Sequence, residues 1–230
     1  MSDPGGSGVW AVLVAAGRGE RFGGERPKAF ANLGGRPLLA ESLERLESSD
    51  WIEALVIVAP PEWEEPSILL AEELGAGKVR AAVAGGETRS DSVRAGLAEV
   101  DEEAAVVLVH DAARPLLPKE VVERVVTAVG EDWDAAVPAL PLADTVKRAE
   151  GEAVAETVDR IGLYAAQTPQ AFLAETLSRA LGEAGSATDC AGLVEAAGGR
   201  VRLVEGDRRL VKVTTPADLA FVEALLGAER

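Results

Sequence analysis

Four stretches of the chain are apolar without interruption: Val9 to Ala16, Leu55 to Ala59, Ala104 to Val109 and Ala135 to Leu140. A strand with one wet face would alternate apolar and polar residues. Unbroken runs therefore predict parallel strands covered on both sides. Between them, Leu39, Leu43 and Leu46, and again Val122, Val125, Val126 and Val129, recur at helical spacing and would form single apolar stripes. Ser90-Asp91-Ser92-Val93 predicts a helix start with Ser90 as its cap. Thr215-Pro216-Ala217-Asp218 reads as cap, first-position proline and acidic first turn of a closing helix. Alternating strands and helices predict an α/β fold, a doubly wound, mostly parallel sheet of Rossmann-like build.

One segment breaks the rhythm. From Leu142 to about Leu163, Val146, Val154 and Val158 are scattered among charges, which predicts a protruding β-hairpin arm turning at Glu150-Gly151-Glu152. The opening residues 1–8 are small and turn-forming, with nothing to bury, and read as a frayed tail. With 230 residues and no linker of low complexity, residues 1–230 read as one domain.

Charge narrows the partners. With 23 basic and 39 acidic side chains the formal charge is −16, which repels nucleic-acid backbones and anionic membrane surfaces. An anionic ligand must then be held by a local basic cluster. The single cysteine, Cys190, makes no internal disulfide, and no Cys/His set has zinc spacing, so a reducing, cytoplasmic setting is expected. No apolar run approaches the length of a membrane span. Cys190 is expected to be a small buried residue, since no cation stands near it in sequence.

The basic cluster follows the first strand: Ala15-Ala16-Gly17-Arg18-Gly19-Glu20-Arg21-Phe22-Gly23-Gly24-Glu25-Arg26-Pro27-Lys28. A glycine-rich turn after a buried strand lets backbone N–H groups approach phosphates. Two common versions fail, because Phe22 stands where the dinucleotide fingerprint needs its third glycine, and Glu25 where a P-loop needs lysine. Arg18, Arg21, Arg26 and Lys28 place four of the 23 basic residues within 11 positions. An even spread would give about one. A second candidate is Val109-His110-Asp111-Ala112-Ala113-Arg114-Pro115, which puts charged residues at the end of a buried strand. Asp111 there could serve Mg²⁺, since hard cations prefer carboxylate oxygen. His110, the only histidine, is read as a packing or hydrogen-bonding residue.

The Pro27-Lys28 ending of the loop resembles the signature of sugar-nucleotide pyrophosphorylase-type nucleotidyltransferases. Later motifs, in order, resemble 2-C-methyl-D-erythritol 4-phosphate cytidylyltransferases of the non-mevalonate isoprenoid pathway. They are Gly85-Gly86-Glu87-Thr88-Arg89-Ser90-Asp91-Ser92-Val93, the His110 to Pro115 segment, Asp144-Thr145-Val146-Lys147-Arg148, Asp159-Arg160, Gln167-Thr168-Pro169-Gln170, Thr188-Asp189 and Val211-Lys212-Val213-Thr214-Thr215-Pro216. Cys190 departs from the family, which usually has Glu there.

The resemblance implies a nucleotidyltransferase fold and transfer of a cytidylyl group from CTP to methylerythritol phosphate, with Mg²⁺ as cofactor. It implies that Arg21, Lys28 and Lys212, the last at a strand end, stabilise the transition state. Ala15, Ala16, Gly17, Gly86, Arg89, Ser92 and Ala112 would hold the nucleotide. Asp111, Arg114, Thr145, Arg160 and Thr168 would hold the second substrate, with Asp111 also the anchor for the metal. The arm would be exchanged across a homodimer, bringing Arg160 to the neighbouring subunit. Rival readings are a ribitol-phosphate cytidylyltransferase, a nicotinamide-dependent oxidoreductase, and a nucleotide-binding protein without catalysis.

Overall fold

A computed structural model describes residues 8–17, 26–183 and 188–229; residues 1–7 of the predicted tail and most of the glycine-rich loop, including Arg18 and Arg21, lie outside them. Strand β1 (Val9–Val14) is flanked by parallel β4 (Ala54–Ala59) and parallel β6 (Val106–Asp111), and β5 (Val79–Ala84) extends the sheet beyond β4. On the other side of β6 comes β11 (Gln170–Leu173), antiparallel to it and to β7 (Ala135–Pro141). Strand β7 also pairs with antiparallel β10 (Tyr164–Ala166) and parallel β12 (Val201–Glu205). The sheet has eight strands. It is mostly parallel because only β10 and β11 run against the rest.

The unbroken apolar runs have the predicted cause. Ala11 and Leu13 of β1 and Leu108 of β6 point into one core, and Val12, Val107 and Val109 into another on the opposite face. The first core is closed by α1 (Leu38–Glu47), α2 (Glu64–Glu73) and α4 (Lys119–Val126), which contribute Leu39, Leu43, Leu46, Leu70, Val122 and Val125. The second is closed by α3 (Arg89–Leu97), α5 (Ala174–Glu183) and α6 (Cys190–Ala196), through Val93, Leu177, Leu181 and Leu193. Leu43 and Leu46 are fully buried. Each such side chain contributes about 1.5–3 kcal/mol by leaving water.

Helix α7 (Pro216–Glu229) packs Val222 and Leu226 on Leu33, Leu38 and Leu116, a third cluster beside the sheet. Its start is as expected: the Asp218 carboxylate accepts from the N–H groups of Thr214 and Thr215, each at 2.8 Å. Helix α3 begins two residues earlier than predicted. Its cap is Thr88, not Ser90, and Thr88 and Asp91 form a reciprocal capping box. The arm is a separate two-stranded ribbon, β8 (Val146–Glu150) and β9 (Ala153–Val158), turning at Gly151 where φ is 59°. A short ribbon, β2 (Asn32–Leu33) and β3 (Arg36–Pro37), leads into α1.

Candidate active site

Residues Ala15 to Gly17 follow β1, with the Ala15 N–H still donating to Val58 O at 2.8 Å, and form one wall of a cleft of about 200 Å³ at the carboxyl ends of the strands. The opposite wall is Gly86 to Arg89 and Ser92 at the start of α3, and the floor is Asp111 and Ala112 at the end of β6. Lys28 and Lys212 complete the rim. The walls approach closely because Gly85 permits it. A Cβ there would lie 2.1 Å from the Ala16 Cβ, so any side chain would force them apart. Gly86 N–H donates to Ser92 Oγ at 3.2 Å, and that hydroxyl donates to Thr88 O, so the α3 entrance is held by its own polar groups.

Asp111 is the electrostatic centre. The residue is 7% exposed, and its carboxylate accepts from Arg89 Nε and Nη2 on one oxygen, at 3.3 and 3.1 Å, and from Lys212 Nζ on the other, at 2.7 Å. Burial alone would favour the neutral acid, but the Arg89 and Lys212 cations outweigh it and hold the carboxyl well below the usual carboxylate range. Lys28 Nζ donates to Val213 O at 3.0 Å, which sets it beside the residue that follows Lys212. A chain with a formal charge of −16 thus gathers three cations, Lys28, Arg89 and Lys212, around one small cleft.

His110 lies behind the cleft, fully buried. Its Nε2 faces Arg114 O at 3.1 Å and its Nδ1 faces Thr168 Oγ1 at 3.1 Å. A carbonyl only accepts, so the Nε2 carries the proton and the Nδ1 accepts from the hydroxyl. Burial pushes the imidazole down to about 4, and it is neutral at pH 7. The ring braces the strand end and does not line the cleft.

Of the residues singled out in the sequence, Ala15, Ala16, Gly17, Lys28, Gly86, Arg89, Ser92, Asp111, Ala112 and Lys212 all line this cleft. Arg21 lies outside the described residues. Thr168 sits under Asp111, whose N–H donates to its Oγ1 at 3.1 Å. Arg114 points to backbone carbonyls, those of Leu210 and Ala166, and does not line the cleft. Thr145 and Arg160 are exposed at the base of the arm, with Arg160 Nη1 donating to Ala143 O.

Two expectations need correction. Lys212 does not end a strand: residues 206–215 are irregular and follow β12. Cys190 does have a cation beside it, because Arg89 Nη1 donates to its Sγ at 3.2 Å across 101 residues of sequence. The thiol is still buried, and desolvation pushes it up despite Arg89, so it stays protonated. Thr88 and Glu87, also on the wall, were not singled out individually, although the Thr88-x-x-Asp91 spacing is itself a capping-box signal.

Convergent cations and exposed backbone at the carboxyl ends of parallel strands suit a nucleoside polyphosphate, and they put the chain among the α/β nucleotidyltransferases. A sequence model of 2-C-methyl-D-erythritol 4-phosphate cytidylyltransferase matches residues 9–228. The chain belongs to that family. It is 48% identical over 221 residues to the enzyme of that name from Frankia casuarinae, covering 95% of this chain and 81% of the relative. With the Rhodococcus jostii enzyme it shares 46% over 220 residues, covering 95% of each. The crystal structure of the Thermus thermophilus cytidylyltransferase superposes with a TM-score of 0.78 at 37% identity, covering 94% of this chain and 98% of that one. Among the described residues no helix is long and apolar enough to cross a membrane.

Proposed function

We propose that the chain joins CTP to 2-C-methyl-D-erythritol 4-phosphate, giving 4-CDP-2-C-methyl-D-erythritol and pyrophosphate. The observation that carries this reading is the meeting of Lys28, Arg89, Asp111 and Lys212 in one cleft walled by the Ala15 to Gly17 turn. A phosphate oxygen of the alcohol attacks the α-phosphorus of CTP, and the bond to the bridging oxygen of pyrophosphate breaks. The attacking phosphate is already ionised at neutral pH, so no general base is needed, in keeping with a His110 that does not line the cleft. What the reaction needs is compensation for two anions brought together. Lys28 and Lys212, with Arg21, supply it as cations fixed in advance around the α-phosphate. Backbone groups of Ala15 to Gly17 hold the nucleotide, with N–H donors from Ala16 and Gly17 since that of Ala15 is given to Val58 O, and Gly86 and Ser92 face the base.

The donor set also fits a magnesium ion that arrives on the nucleotide. Among the described residues no group of three or more His, Cys, Asp or Glu could hold a metal alone. Asp111 is a single buried carboxylate, as suits Mg²⁺ that takes its other oxygens from phosphate and water. When bound, Mg²⁺ would neutralise triphosphate charge and orient the leaving pyrophosphate. Asp111 would be the residue that holds the ion.

The arm completes the reading. Val154 and Ile161 of the arm, and Tyr164 at the edge of the main sheet beside it, are 62%, 86% and 49% exposed, apolar surface that the chain itself leaves uncovered. A second copy of the chain covers it in a homodimer, with Thr145 and Arg160 carried to the partner's cleft to bind methylerythritol phosphate. A cytoplasmic setting suits the free, buried Cys190.

The test is pyrophosphate release with each nucleoside triphosphate and with methylerythritol phosphate or ribitol phosphate as acceptor. Turnover is expected with CTP and methylerythritol phosphate alone. Turnover confined to ribitol phosphate would replace the acceptor assignment, and binding of NAD in place of CTP by calorimetry would overturn the reaction class.

A further inference from the structure

The segment that carries Lys212 has no ladder of its own, since residues 206–215 are irregular. Asp111, by contrast, ends a fully buried strand. A 2.7 Å contact between them, across 101 residues of sequence, must therefore be set from outside the segment. We propose that Gln167 is a positioning residue that fixes Lys212 against Asp111, working in tandem with Thr168 next to it. This rests on the reading of Lys212 as a transition-state cation.

Gln167 is 7% exposed and spends its whole amide on one residue: Oε1 accepts from Asp207 N at 3.0 Å, and Nε2 donates to Asp207 O at 2.8 Å. Its own N–H donates to Pro138 O at 2.7 Å, so the clamp is anchored on β7. The neighbouring glycine is an independent sign of the same clamp. A Cβ at Gly206 would lie 2.3 Å from Gln167 Oε1, so the segment can take its bond only with glycine at that position. Beyond Asp207, Arg114 holds Leu210 O, and Val213 N–H donates to Ala113 O at 2.8 Å. One position along from Gln167, Thr168 Oγ1 accepts from Asp111 N. Two adjacent residues thus hold the two halves of the ion pair, one by the segment that bears the lysine and one by the strand end that bears the carboxylate.

Gln167→Met keeps the length and removes both bonds, leaving the Asp207 N–H and C=O to water. With Lys212 displaced, kcat should fall between about tenfold and a hundredfold, the loss that follows a shift of roughly 1 Å. KM for both substrates should stay within about threefold, since the interaction lost is one made in the transition state. In the ligand-free protein, amide hydrogen exchange along residues 206–215 should speed up about tenfold, while exchange in β6 stays unchanged. Unchanged turnover with unchanged exchange would overturn the proposal. In Gln167→Glu the introduced carboxyl can replace the amide only when protonated, so its turnover relative to the unsubstituted chain should climb as pH falls from about 8 to about 6; a flat ratio would also count against it. If the unsubstituted chain releases no pyrophosphate, the reaction assignment fails on its own. The exchange measurement, which needs no substrate, still decides the role of Gln167.

Discussion

Replacing Asp111 by asparagine would change the cleft's charge while leaving its shape almost intact. The new amide oxygen could still accept from Arg89, but its NH₂ would face Lys212 Nζ, donor against donor, where 2.7 Å now separates opposite charges. Lys212 would swing into water, which its side chain, 42% exposed, already touches. Removing one partner of a buried pair costs about 3–5 kcal/mol, and the exposure of Lys212 lowers that to roughly 2 kcal/mol here. Turnover should drop about a hundredfold, because Lys212 loses the contact that places it. Binding of CTP without metal should move the other way. A carboxylate about 6 Å from a phosphate charge, at an effective dielectric of about 40, repels it by roughly 1.4 kcal/mol, or tenfold in affinity. Calorimetry of CTP in chelator, on the unsubstituted and Asp111→Asn chains, checks the sign. Weaker or unchanged metal-free binding in the variant would refute the view that the Asp111 charge opposes a nucleotide arriving without metal.

The other expectations follow from single contacts. Lys28→Ala should cut kcat by about 3 kcal/mol, a hundredfold or more, with a melting temperature close to that of the unsubstituted chain; near-normal kcat would remove Lys28 from the mechanism. Arg160→Ala should chiefly raise KM for methylerythritol phosphate, and mixing it with a Lys28→Ala chain should recover part of the lost activity if the arm serves the neighbouring cleft. No recovery would argue against sharing. His110, lowered from 6.5 in the unfolded chain to about 4 when folded, contributes stability that is fully present above pH 6.5. That contribution is lost as pH falls from there toward 4, up to roughly 3 kcal/mol. Urea midpoints at pH 7 and 5 should show the loss, and His110→Gln should lack it.

The core strands were legible because each is apolar on both faces, and β1, β4, β6 and β7 all fall within or beside the predicted runs. The arm was legible for the opposite reason, as charges and isolated valines that no core could use. Strand β11 was not, since four residues opening with Gln170 carry too little pattern, and its antiparallel insertion between β6 and β7 is a matter of distant pairing. Strand β5 is half-buried at a sheet edge with Arg80 exposed, so it lacks the unbroken run of its neighbours. In the site, the glycines after β1 and before α3 and the carboxylate ending β6 fall on the walls and floor of the cleft, and Lys212 reaches it from an irregular segment. The partnership of Arg89 with Cys190 and the clamp of Gln167 on Asp207 were invisible, because sequence separations of 101 and 40 residues carry no local signal.

The Lys28 to Val213 hydrogen bond spans 185 residues, and Lys212 meets Asp111 across 101. The cleft is therefore among the last things a growing chain can finish. On a ribosome, β1, β4 and β6 can pair long before Lys212 has been made, and the half-formed site would hold Asp111 with Arg89 alone. Nucleotide capture then reports completion of the fold, and loss of catalysis in denaturant should track global unfolding and not the opening of any single loop.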